Sequence, residues 1–200
     1  MNSETPRMAM IDPQSATGAA KDLLAKTKAQ LGRTPNLYRA MANAPAALDG
    51  YLSFRNALQS GVLTKEMRER IALLTAEDNG CEYCVSAHMF RGEKIGMSHA
   101  DLADTRGARS EDPRIAAGLA FVRGVMAHKG DVSDDTLAAI RAAGWSDEEI
   151  GEIVAHVALN VFSNYFNHVA RPELDFPRIP VGVDASAQPT SICLTHPHPP

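Results

Sequence analysis

Residues 78–96 read DNGCEYCVSAHMFRGEKIG. Asp78-Asn79-Gly80 breaks an apolar stripe carried by Met67, Ile71 and Leu74. Asn79 followed three residues later by Glu82 has the form of a capping box, so the spacing predicts a helix from about Gly80 to Ile95, stopped at Gly96. At about 100° per residue, Cys81, Cys84 and His88 then fall within an arc of roughly 60° on one face. Cys84 and His88 lie one turn apart, so the imidazole can accept the thiol proton. Cys81 sits in the first turn, where unpaired backbone N–H groups and the helix dipole favour a thiolate. A thiolate attacks peroxides and disulfides, and a second thiol within reach traps the sulfenic acid as a disulfide.

Outward from this stretch the same period continues. A helix over 16–30 carries Leu23 and Leu24 and is closed by Gly32, and Leu37 to Met41 forms a short apolar turn. Pro45 suits the first turn of a helix running to about Ser60. Thr64 caps the helix bearing Met67, Ile71 and Leu74. Asp112-Pro113 opens another that ends before Gly130; Ser133 begins one that ends at Gly144. Ser146 with Glu149 is a second capping box, leading a long helix to about Ala170. No stretch alternates with period two between turn signals, so the fold class is all-α. The expected organisation is a single helical domain over 1–176, followed by an extended Pro-rich tail over 177–200 that holds Pro177, Pro180, Pro189, Pro197, Pro199 and Pro200.

The chain has 200 residues, 44% hydrophobic and 22% charged, with a formal net charge of −4. That balance gives no electrostatic footprint for nucleic acid, and no apolar run approaches the roughly 20 residues needed to span a bilayer. Met1 to Arg7 lacks the basic-then-apolar order of a secretory signal, and the expectation is a soluble cytoplasmic protein. Three cysteines, Cys81, Cys84 and Cys193, are too few and too uneven for a disulfide framework. In a reducing compartment a pair three apart points to chemistry, while Cys193 reads as a bystander. No Gly-rich phosphate loop occurs in a strand–turn–helix context, and no metal, flavin or haem is called for.

Other readings stand beside the redox one. Two thiolates and His88, with Glu69 as fourth ligand, would suit zinc, although structural sites usually set the cysteine pair in a tight knuckle. The pair could also be inert and buried. Glu69 alone, within Lys65 to Arg70, is one charge on a helix face. On the last helix His156, Asn160, Ser163, Asn164 and Asn167 share a face, opposite Ile150, Val154, Val161 and Phe162. Such a stripe either lines a cavity, with His156 approaching the thiols, or makes hydrogen bonds at an interface, because buried amides need partners. Trp145, beside a capping box, reads as packing.

Glu69, eleven residues, then Cys81-x-x-Cys84-x-x-x-His88 resembles the signature of the alkyl hydroperoxidase D (AhpD-like) family, within the carboxymuconolactone decarboxylase-like superfamily. The resemblance runs from about Pro35 to Pro177, takes in Asn160 to His168, and is nearest to the peroxidase-related branch. It implies an all-helical fold, obligate homo-oligomers, and reduction of organic hydroperoxides with a dithiol or lipoyl-type reductant. By the same resemblance Cys84 attacks the peroxide, Cys81 resolves, and Glu69 and His88 form the proton relay. The family pattern has a histidine just before the second cysteine, where this chain has Tyr83. A phenol of pKa about 10 is no base near neutrality, but it can donate a hydrogen bond. The alternatives are a decarboxylase-type lyase of the same superfamily, which works without the cysteine pair, and a non-catalytic protein whose binding responds to the disulfide.

Overall fold

The computed structural model describes residues 5–182. Among these the chain forms nine α-helices and no strand: α1 (Gly18–Leu31), α2 (Asn36–Met41), α3 (Pro45–Gln59), α4 (Lys65–Asp78), α5 (Glu82–Lys94), α6 (His99–Arg106), α7 (Pro113–His128), α8 (Asp134–Ala142) and α9 (Asp147–Ala170). The all-α expectation is borne out. Cys193 and most of the predicted tail lie outside the described residues.

The caps are those the sequence spells. The Thr64, Ser98, Asp112 and Ser133 side chains each accept from first-turn amides, and Ser146 with Glu149 completes a capping box. Each such cap is worth about 1 kcal/mol. α4 lies at the centre and packs against α5, α6, α7 and α9. From Arg70 to Ala76 every one of its residues is buried, so this helix has no solvated face at that level. One core cluster joins Met67, Ile71, Leu119, Val122, Trp145 and Ile153; a second holds α1 to α3 against Leu159 of α9. Trp145 is packing, as expected: its indole N–H donates to the Arg114 carbonyl at 2.8 Å, and the Arg114 guanidinium stacks 4.0 Å from the ring centre.

The start of α5 differs from the expectation. Asn79 does not cap it but ends α4. Gly80 takes the left-handed conformation, φ 66°, with its N–H on the Glu77 carbonyl, and the Cys81 N–H bonds to Ala76, a paired closure of the α4 C-terminus. The Asn79 amide donates to Asn164 Oδ1 at 2.9 Å, and its carbonyl meets His168 Nε2 at 3.0 Å. Helix α5 therefore begins at Glu82, and its cap is Cys81 itself, whose sulfur accepts from the Cys84 amide at 3.3 Å.

α6 is a helix the sequence reading passed over. It sits close against α5 because Gly92 has no side chain: a Cβ there would stand 2.5 Å from Leu102 Cδ2. After α9 the chain runs without helix from Arg171 to Gly182 and lies across α5. Ser86 and Ile179 exchange hydrogen bonds, and Arg178 clasps the Glu82 carboxylate. We call this segment the strap.

Candidate active site

The turn at Asn79 to Cys81 folds α4 and α5 into a hairpin, and the hairpin brings the predicted residues together. Cys81 and Cys84 are joined by a disulfide with Cα atoms 5.2 Å apart. Both are buried. On α4, Glu69 Oε2 lies 2.7 Å from Nδ1 of His88 on α5. Burial pushes the Glu69 carboxyl up, but His88, then Arg91 and Arg55, outweigh it and hold its pKa below the ordinary value. An ionised carboxylate accepts from Nδ1–H, which leaves Nε2 as the basic nitrogen of the neutral ring. His88 and Cys84 line one cavity of about 20 Å³, together with Tyr38, Tyr51, Arg91 and Phe176. That volume holds about one water-sized group.

The polar stripe of α9 faces inward. His156, Asn160, Ser163, Asn164 and Asn167 are all buried, whereas Val154, Phe162, Tyr165 and Val169 of the same helix face solvent. Its hydrogen bonds are local or reach the hairpin: Asn160 to the His156 carbonyl at 2.8 Å, Ser163 to the Asn160 carbonyl at 3.0 Å, and Asn79 to Asn164. Asn167 Nδ2 lies 3.1 Å from the Cys84 sulfur. Ser163 and Asn167 line the Cys84 cavity; His156 does not. Burial, with Arg68 adding to it, pushes the His156 pKa down to about 4, so the ring is neutral.

Tyr83 is built into an anchor. Its hydroxyl donates to Asp175 Oδ1 of the strap at 2.6 Å and accepts from the Leu37 amide at 3.2 Å. Asp175 is held in turn by Arg33 and by the Asn36 amide. Burial and the Asp175 carboxylate raise the phenol pKa further, so Tyr83 is a fixed donor and not a base. Phe176 packs edge-on against the Tyr83 ring and also meets Phe90, while Arg33 lies 4.6 Å from the Phe176 ring centre.

Three contributors escaped the sequence reading in their roles: Asn167 on the sulfur, Arg91 in the cavity wall, and Asp175. Burial works against the Arg91 charge, but Tyr38, Glu69 and Tyr51 around it more than offset this and raise its pKa. Arg91 follows Cys84 at i+7 and His88 at i+3 on one helix face, a signal present in the sequence. As for zinc, both sulfurs are taken by each other and the Glu69 carboxylate by His88.

The carboxymuconolactone decarboxylase family model matches residues 45–124, which span α3 to most of α7. No curated protein matches the chain. Among solved structures, a peroxidase-related protein from Ralstonia eutropha with an alkylhydroperoxidase AhpD core is 24% identical, covering 88% of this chain and 97% of that one, TM-score 0.75. A peroxidase-related protein from Silicibacter is 19% identical over 86% of this chain and 95% of that one, TM-score 0.70. The debrominase Bmp8 in complex with 2,3,4-tribromopyrrole is 16% identical over 86% and 94%, TM-score 0.71. The fold is thus that of the AhpD-like proteins.

Proposed function

We propose that this chain is a thiol-dependent peroxidase that reduces organic hydroperoxides through a Cys81–Cys84 disulfide cycle. The observation that carries this reading is one constellation: a bonded cysteine pair, one sulfur of which meets an amide donor and shares its cavity with an imidazole oriented by a carboxylate. In the cycle, His88 Nε2 takes the Cys84 proton. The thiolate attacks the terminal peroxide oxygen, the O–O bond breaks, and the departing alkoxide takes the proton back from His88. Arg91 supplies positive charge where that alkoxide develops. Cys81 then attacks the sulfenic acid at Cys84, forming the disulfide and releasing water. An external dithiol returns both cysteines to thiols and leaves as its own disulfide. The net reaction is hydroperoxide plus dithiol to alcohol, water and disulfide. The cycle draws on a pool of reduced dithiol, which the cytoplasm maintains.

The Cys84 cavity of about 20 Å³ admits a hydroperoxy head group. A lyase of the superfamily type has no use for the thiols and survives Cys84→Ser; a peroxidase does not. The deciding measurement adds one equivalent of cumene hydroperoxide to the pre-reduced chain. Loss of two thiols, located by mass at Cys81 and Cys84, with turnover once dihydrolipoamide is supplied, supports the cycle. Intact thiols and unconsumed hydroperoxide reject it, and a disulfide-dependent change in assembly without turnover would favour a redox-responsive binding protein.

The same reading includes self-association. Phe162 of α9 and Phe54 of α3 are exposed and line an apolar groove with Ala46, Ala47 and Gly50, and Tyr165 and Val169 of α9 are exposed as well. Contiguous apolar surface of this kind marks an interface. The occupant proposed is a second copy of this chain, in line with the homo-oligomers that the resemblance implies.

A further inference from the structure

The two cysteines open onto different spaces. Cys84 lines the narrow cavity shared with His88, which Cys81 does not line. Cys81 lines a cleft of about 720 Å³ walled by Glu82, His168, Arg171, Leu174 and Arg178, and Cys84 does not. The strap forms one wall of this cleft, and its Phe176 lines the other cavity. A volume of that size falls in the roughly 300–1,000 Å³ range of sites that accept drug-sized molecules, whereas the Cys84 cavity takes about one water.

From this we infer that the site is two-sided: the reducing dithiol enters the Cys81 cleft and attacks the Cys81 sulfur, while the hydroperoxide meets Cys84 in the narrow cavity. The inference rests on the disulfide cycle proposed above and adds the place and direction of its reductive half. Attack by one thiolate of the dithiol forms a mixed disulfide to Cys81 and breaks the Cys81–Cys84 bond, with the electron pair leaving on Cys84. The departing Cys84 sulfur accepts from the Asn167 amide, and His88 lies in the same cavity to return its proton. The second thiol of the reductant, deprotonated, then attacks the mixed disulfide, and Cys81 leaves as a thiolate and is protonated. A dithiol is required for a kinetic reason. The Cys84 thiolate, three residues away, re-attacks the mixed disulfide intramolecularly, and only a second thiol on the same arm competes at comparable effective concentration.

The first test uses the oxidised chain and needs no hydroperoxide turnover, so it stands or falls apart from the peroxidase reading. Oxidised protein is treated with 2-mercaptoethanol and quenched during reduction with excess iodoacetamide, and the modified cysteines are located by fragment-ion mass spectrometry. The expected product carries mercaptoethanol on Cys81 and the alkyl group on Cys84. The reverse pattern, or an even distribution, overturns the inference. As a second measurement, Leu174→Trp narrows the cleft: reduction by dihydrolipoamide is expected to slow at least tenfold, with thiol loss to hydroperoxide changing less than twofold. Equal slowing of both half-reactions, or of neither, rejects the two-sided arrangement.

Discussion

Asn167 donates its amide Nδ2 to the Cys84 sulfur at 3.1 Å, while its own Oδ1 is buried without a partner. One half of this side chain serves the sulfur and the other half is left unsatisfied. Removing the whole amide therefore costs little stability but withdraws a donor from the thiolate. A hydrogen bond to a charged group is worth about 1.5–3 kcal/mol, or roughly one to two pKa units. Asn167→Leu should raise the Cys84 thiol pKa by about that amount, read from the pH dependence of iodoacetamide alkylation in a Cys81→Ser background, while the unfolding midpoint moves little.

Glu69 acts through His88. With the carboxylate accepting from Nδ1–H, the imidazole is held in the tautomer that presents Nε2 as the base. Glu69→Gln keeps the size but lets the ring rotate or switch tautomer. The hydroperoxide step should slow by about 10²-fold or more, the scale of a lost general base, and single-turnover thiol loss checks it. The reductive step by dihydrolipoamide should fall much less.

His156 predicts an acid sensitivity that has nothing to do with the thiols. Its pKa is lowered on folding from 6.5 to about 4 by burial and Arg68, with Glu152 and Glu69 opposing. A depressed folded pKa means stability that is complete above pH 6.5 and is lost as the pH falls toward about 4, because the unfolded chain binds the proton first. Urea unfolding across that window should show a slope in the wild type that His156→Gln reduces.

How much of this was readable beforehand depends on whether the cause is local. Helices α3, α4, α7 and α9 begin where Pro45, Thr64, Asp112-Pro113 and the Ser146–Glu149 pair say they must, because a cap is written within four residues. Asn79 suits either helix end, and the left-handed turn at Gly80 decides for α4. α6 has a local cap in Ser98 but buries only Leu102 and Thr105, and it is held by tertiary neighbours: the notch at Gly92 and the bond from Arg70 to Thr105 Oγ1 at 2.8 Å. The facing of α9 could not be settled from periodicity, since a polar stripe can point either way until the hairpin is there to receive it. Asp175, 92 residues from Tyr83, carries no sequence mark of its role.

Tyr83→Phe tests the strap. The change removes the acceptor of the Leu37 amide and the donor to Asp175, though Arg33 and the Asn36 amide still hold that carboxylate. An unpaired buried group costs about 1–3 kcal/mol, and for a chain of this size each 1 kcal/mol shifts Tm by about 2–4 °C. The variant should melt several degrees lower and be cleaved faster by protease within the strap, both measurable on the purified chain. The pH profile of hydroperoxide reduction should keep its shape, because the phenol does not ionise in that range.

The exposed face of α9 yields the last prediction. Phe162 and Tyr165 are 42% and 58% exposed, although Phe162 also meets the Tyr51 and Phe166 rings. A carboxylate placed there would be desolvated by an apposed copy at a cost of several kcal/mol per unpaired ion. Phe162→Asp combined with Tyr165→Asp should therefore shift sedimentation from an oligomer to the mass of a single chain without altering the far-ultraviolet helical signal. An unchanged sedimentation coefficient for the double variant, at a concentration where the wild type is assembled, would move the contact between copies to another surface.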